Sequence, residues 1–183
     1  WGSSCVVGRG SKPMLLGPKI AVLACWFHTS AARTCPGKLH VPGYGNVSFV
    51  SARHNTMDRE AGIVELRDWH LIPHMWGRAY FGNACMEDRY HQQQYAAFRL
   101  LGKAFRYSVS LQGQGCGCNV ALYLVSMRQN SLASDCCDHY CDASSVCGVS
   151  CTEIDIQEAN AFAWRSALHQ KNDQKGVGSG YGG

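Results

Sequence analysis

The sequence predicts a mostly β chain, a sandwich of short antiparallel strands, and three observations carry that expectation. Residues 104–111, AFRYSVSL, alternate strictly: Phe105, Tyr107, Val109 and Leu111 fall on one side, Arg106, Ser108 and Ser110 on the other. That is the two-residue period of a half-buried antiparallel strand. Residues 120–127, VALYLVSM, are apolar on both faces, as a central strand would be. Turn signals separate the short apolar runs, with Pro36, Gly37, Pro42, Gly43 and Gly45 all inside residues 33–60.

Taken in chain order, MLLGPKIAVLACWFHTSAA (14–32) supports two readings. One is an early buried strand over 20–27. The other is a secretory signal, with Lys19, the apolar run 20–27 and then the small residues Ser30, Ala31 and Ala32. On the second reading residues 1–13 are upstream sequence. NVSFVS (46–51) is a short strand candidate. AGIVELRDWHLI (61–72) reads as extended, with Ile63, Val64 and Leu66 as its apolar positions, and WGRAYFG (76–82) as another short strand. QGQGCGCN (112–119) is the turn between the two clearest strands. Residues 128–150, dense in Ser, Asp and Cys, read as loop. GVGSGYGG (176–183) follows soon after the last apolar pattern, so the expectation is a single, truncated domain.

Composition narrows the function classes. A chain of 183 residues can bury a core, and 46% hydrophobic against 16% charged residues indicates a globular protein. The net charge of +4 is spread along the chain without a basic run or basic-aromatic array, which argues against a nucleic-acid partner. No apolar run reaches the roughly 20 residues of a membrane-spanning helix. Seven of the eleven cysteines lie between 116 and 151, a density that predicts disulfides and an oxidising, secreted environment. Zinc is the competing reading, because CGC (116–118) and DCCDHYC (135–141) bring Cys and His together. The odd total leaves at least one thiol without a partner in the chain. Asn46-Val47-Ser48 is a glycosylation sequon that agrees with secretion.

SCTEIDIQEAN (150–160) holds Glu153, Asp155 and Glu158. Local rules favour a helix. Asp155 and Glu158 have capping-box spacing, and ANAFAWRSALHQK behind them is rich in helix formers, giving a helix over 156–170 with Trp164 and Leu168 as its apolar stripe. The acids would then be a cap and a solvated first turn. In a plain strand Glu153 and Asp155 share a face and Glu158 points away.

The same residues resemble the active-site strand of glycoside hydrolase family 7, the cellobiohydrolases and endoglucanases, which show Glu-x-Asp-x-x-Glu followed by Ala-Asn. The acid spacing also occurs in the laminarinase-like family 16. Further matches lie in the family's order: FRLLGKAFRYSVSL (98–111), CGCNVALYLVSM (116–127), YCD (140–142), and His169 eleven residues after Glu158. The matching region is 76–169. The resemblance implies a concanavalin-like jelly-roll β-sandwich of curved antiparallel sheets, here incomplete. It also implies a β-bulge between Asp155 and Glu158 that restores Glu158 to the face of the other two acids.

By residue match, Glu153 would be the nucleophile, Glu158 the general acid/base and Asp155 the carboxyl that tunes Glu153 in a retaining double displacement. Asn119, Tyr123, Asp142 and His169 would contact substrate; otherwise they are a strand-start Asn, a core Tyr, a turn Asp and a surface or core His. Trp26 and Trp164 could stack on sugar rings, with burial the default expectation for each. The chemistry needs no metal or organic cofactor. The partner implied is a β-1,4-glucan or its oligosaccharides, with a monomeric enzyme acting outside the cell. The chain departs from the family in length, since family catalytic domains are more than twice as long. Ser150 stands where the family has a second Cys, Gln157 where Trp is common and Ser144 where Gln is usual. A non-catalytic sugar-binding or structural relative, a laminarinase-like β-glucanase and an unrelated Cys-rich module remain as alternatives.

Overall fold

A computed structural model describes residues 2–5, 34–87 and 89–173. The 14–32 segment and Trp26 lie outside the described residues. Among the described residues the structure is mostly β, with eleven strands: β1 (Gly2–Cys5), β2 (Gly37–Val41), β3 (Gly45–Ser51), β4 (His54–Thr56), β5 (Arg59–Glu60), β6 (Val64–Arg67), β7 (His70–Pro73), β8 (Ala79–Gly82), β9 (Cys118–Val125), β10 (Glu153–Ala159) and β11 (Trp164–His169). Every paired strand runs antiparallel to its neighbour.

The sheet that matters for the acids has the order β1-β9-β10-β11. The apolar run 120–127 forms most of β9, which is paired on both sides as expected of a central strand, and Leu122 at its middle is fully buried. A second sheet has the order β2-β3-β8 and contains NVSFVS within β3, where Val47 and Val50 are fully buried. The hairpin joining β2 to β3 needs Gly43 and Gly45, whose φ values of 79° and 110° lie where L side chains are strained.

The core between these elements contains Val50, Tyr80, Tyr95, Met127 and Tyr140 together with the half-cystines Cys136, Cys141 and Cys147. Three disulfides form among the described residues: Cys35–Cys85, Cys136–Cys147 and Cys141–Cys151. They are compatible with an extracytoplasmic protein. Two of them tie the irregular loop 128–150, which has few ladder hydrogen bonds of its own, into the core and onto the start of β10. Each closes a loop of 10 or 11 residues, and closure of that size removes chain entropy worth about 3 kcal/mol. Cys116 is free and exposed. Among the described residues no group of three or more Cys, His, Asp or Glu is arranged to hold a metal ion, and no helix is long and apolar enough to cross a membrane.

Four local expectations change. Residues 61–72 are not one extended run but the hairpin β6–β7, turned at Asp68 and Trp69, with Asp68 at φ 50°. Residues 104–111 keep the alternating exposure but join no ladder. Alternation reports which side is buried, not whether a neighbouring strand supplies hydrogen bonds. Here burial comes from Phe105 packing on Phe81 and Phe98, and from the Tyr107 hydroxyl donating to Gln157 Oε1 at 3.0 Å. The helix over 156–170 is absent. Trp164 is about half exposed rather than buried, and Leu168 is exposed with it.

Candidate active site

β10 replaces the expected helix because both its edges find partners. β9 pairs along one side and β11 along the other, and these ladders outweigh a local capping preference. The Asp155 side chain, free of any capping role, turns to His169 across the sheet. Asn160 ends the strand: its Oδ1 accepts the backbone N–H groups of Phe162 and Ala163, and its own N–H donates to Ala163 O, closing the β10–β11 turn.

The register on both sides slips between Asp155 and Glu158. Glu153 lies opposite Val125 and Glu158 opposite Ala121, so five steps along β10 match four along β9. The same two acids face His169 and Arg165 on β11, again four apart. One inserted residue thus restores parity and puts all three acids on one face, as a bulge does. Gln157 goes to the opposite side, fully buried, donating to Val120 O at 2.9 Å.

Glu153, Asp155 and Glu158 line one cavity of about 250 Å³, together with Asn119, Tyr123 and Asp142. Six of the seven residues singled out from sequence therefore converge. The seventh, His169, is absent from the cavity wall and stands behind Asp155, with its Nε2 3.0 Å from Asp155 Oδ2. Asn119 Nδ2 donates to Glu158 Oε1 at 3.0 Å, and the Ala143 N–H donates to Glu153 Oε2 at 2.9 Å. Asp142 is 5% exposed; its Oδ1 accepts the Val146 N–H, so it organises its own turn while lining the cavity. The Tyr123 and Tyr140 hydroxyls lie 3.0 Å apart.

Sequence reasoning missed Arg78, Asn55, Thr56, Tyr140 and Val146 in the same lining. Arg78 carried a signal, an arginine in the middle of a short apolar segment. Asn55 and Thr56 carried none, because β4 and β5 are too short to leave a pattern. Arg78 is 4% exposed and lies over the Tyr140 ring at 3.8 Å. Its Nε donates to the Tyr80 hydroxyl, its Nη1 to Asn55 O and its Nη2 to His54 O. The Tyr80 hydroxyl in turn donates to the fully buried Asp138 at 2.6 Å.

Electrostatics set the acids apart. Burial is the main cause pushing Glu153 up to about 7, opposed by the Ala143 N–H and aided by the charges of Asp155 and Asp142. Burial also pushes Asp155 up to about 6, with Glu158 adding to it and His169 opposing. Both acids bind protons more tightly in the fold than in the unfolded chain. Their contribution to stability is therefore complete below about pH 4 and is lost as pH rises through about 6 and about 7. For Glu153 the effect is on the order of 2–3 kcal/mol. The urea midpoint should rise when wild type is taken from pH 8 to pH 4.5, and Glu153→Gln should lose most of that rise. A Glu153→Gln protein with the full pH response would show that Glu153 is not the group responsible.

Comparisons with family models, curated proteins and solved structures returned no match to this chain.

Proposed function

We propose that this chain is the catalytic part of a secreted retaining glycoside hydrolase acting on β-1,4-glucan. The observation that carries the reading is the bulge, which puts three carboxyl groups into one groove with Asn119, Tyr123 and Asp142. The resemblance to the cellulase family supports the same assignment, along with its jelly-roll sandwich, in which β1 and β9–β11 would belong to one curved sheet.

In this mechanism the ionised Glu153 attacks the anomeric carbon, while Glu158 donates a proton to the departing glycosidic oxygen. Glu158 then takes a proton from the water that cleaves the glycosyl-enzyme ester, and the anomeric configuration is retained. Asp155, beside both acids, shares their charge with His169. No cofactor enters any step. Glu153 must be ionised to attack, so kcat/KM should climb as pH rises toward about 7.

A second reading exchanges the two roles. It is favoured by the upward push on Glu153, the usual mark of a proton donor, and by the Asn119 amide that donates to Glu158 as it would to a carboxylate.

One experiment separates these. The full chain is incubated with a 2-deoxy-2-fluoro cello-oligosaccharide donor, and the labelled peptide is identified by mass spectrometry. A label on Glu153 with retained anomeric product from cellopentaose supports the first assignment. A label on Glu158 supports the exchange. Binding of cellopentaose without turnover or label would favour a non-catalytic sugar-binding relative.

A further inference from the structure

The turn that follows β11 folds back behind the acids. Asp173 N–H donates to Gln170 O, and Asn172 sits at φ 63°, a conformation that asparagine tolerates better than most residues. This turn places Asp173 Oδ2 3.0 Å from His169 Nδ1, while the other ring nitrogen meets Asp155. The side chains are well enclosed, at 11% exposure for His169 and 17% for Asp173. The Asn172 N–H also donates to Ser150 Oγ at 2.7 Å. Ser150 Oγ reaches Ala143 O at 3.4 Å, and the Ala143 N–H holds Glu153. Two arms therefore run from one turn to one carboxyl pair: Asp173–His169–Asp155, and Asn172–Ser150–Ala143–Glu153.

We infer that Asp173 is a positioning residue, which holds the His169 proton on Nδ1 and keeps positive charge against Asp155 and Glu153, while Asn172 and Ser150 anchor the turn that presents it. The proton count follows from the geometry. An ionised carboxylate only accepts, so both contacts are hydrogen bonds only when two protons lie among the three groups. The Asp155–His169–Asp173 chain then carries one negative charge instead of the two it would carry with a single proton. Among the described residues, the charges set around it include Glu153 and Glu158 on β10, Arg165 on β11, Asp142 from the loop and Arg78 in the cavity wall. Ser150, which replaces a cysteine of the resembled family, is in this account a strut and not merely a lost half-cystine.

The catalytic half of the inference rests on the proposed function; the proton placement does not. Nitrogen NMR of His169 in the full chain reads the placement directly. Once the ring carries a single proton, wild type should hold it on Nδ1, and Asp173→Ala should move it to Nε2, toward Asp155. Asp173→Asn keeps an acceptor and should retain the Nδ1 proton. Either variant removes the carboxylate that holds the imidazole against Asp155, so His169 opposes proton binding at Glu153 and Asp155 less, and both keep their protons to higher pH. The acidic limb of kcat/KM on a soluble cello-oligosaccharide should then move up by roughly 0.5–1 pH unit. An Nε2 proton in wild type, or an unchanged tautomer in Asp173→Ala, overturns the inference. So does an unshifted limb in active Asp173→Asn. Inactive wild type with the expected tautomers would sink the proposed function and leave the placement standing.

Discussion

Glu153→Gln is expected to lower kcat/KM on cello-oligosaccharides by at least about 10³-fold, the scale of losing a carboxylate that forms or breaks a bond in the transition state. The substitution suits the site because the amide keeps an oxygen to accept the Ala143 N–H, so the loop 140–151 should hold its place. It also removes a carboxyl that burial disfavours in its charged form, so the variant should be at least as stable as wild type at pH 8. Loss of turnover with stability kept is the combined signature. Turnover within tenfold of wild type would remove Glu153 from the chemistry under either assignment of roles. Adding azide separates the two roles. A glycosyl azide of inverted configuration from Glu153→Gln marks a lost nucleophile, whereas one of retained configuration marks a lost acid/base.

Arg78→Met is expected to destabilise the fold by about 3–5 kcal/mol, read as the loss of unfolding free energy in urea. That is a large part of the roughly 5–15 kcal/mol typical of a domain. Methionine matches the length of the aliphatic stem but abandons the carbonyls of His54 and Asn55 and the Tyr80 hydroxyl, all of which accept from the guanidinium. It also removes the cation from the Tyr140 ring. Arg78→Lys should recover only part of the loss, because a single ammonium cannot meet the three acceptors of a planar fork. A loss below about 1 kcal/mol for Arg78→Met would mean that water replaces those contacts and that the buried arginine does not hold β4 to β8.

The sequence by itself determined the β class, the central place of 120–127, the strand within 46–51 and the reliance on disulfides. These follow from side-chain chemistry at short range: period-two alternation, two-sided apolarity, turn residues and cysteine density. The resemblance to the cellulase family marked six of the residues now found around one cavity, and the bulge it implied between Asp155 and Glu158 is there. The tertiary structure decided the rest. Helix or strand at 153–159 was a choice between a local cap and two flanking ladders, and only the presence of β9 and β11 tips it. Residues 104–111 show the converse, a strand pattern without a ladder, since facial burial and edge pairing are separate conditions. Arg78, Asn55 and Thr56 join the cavity from chain positions 80–103 residues away from Glu158, and His169 turns away from it to Asp155. Such contacts depend on how sheets pack and loops close, and nothing within a short window of sequence encodes those distances.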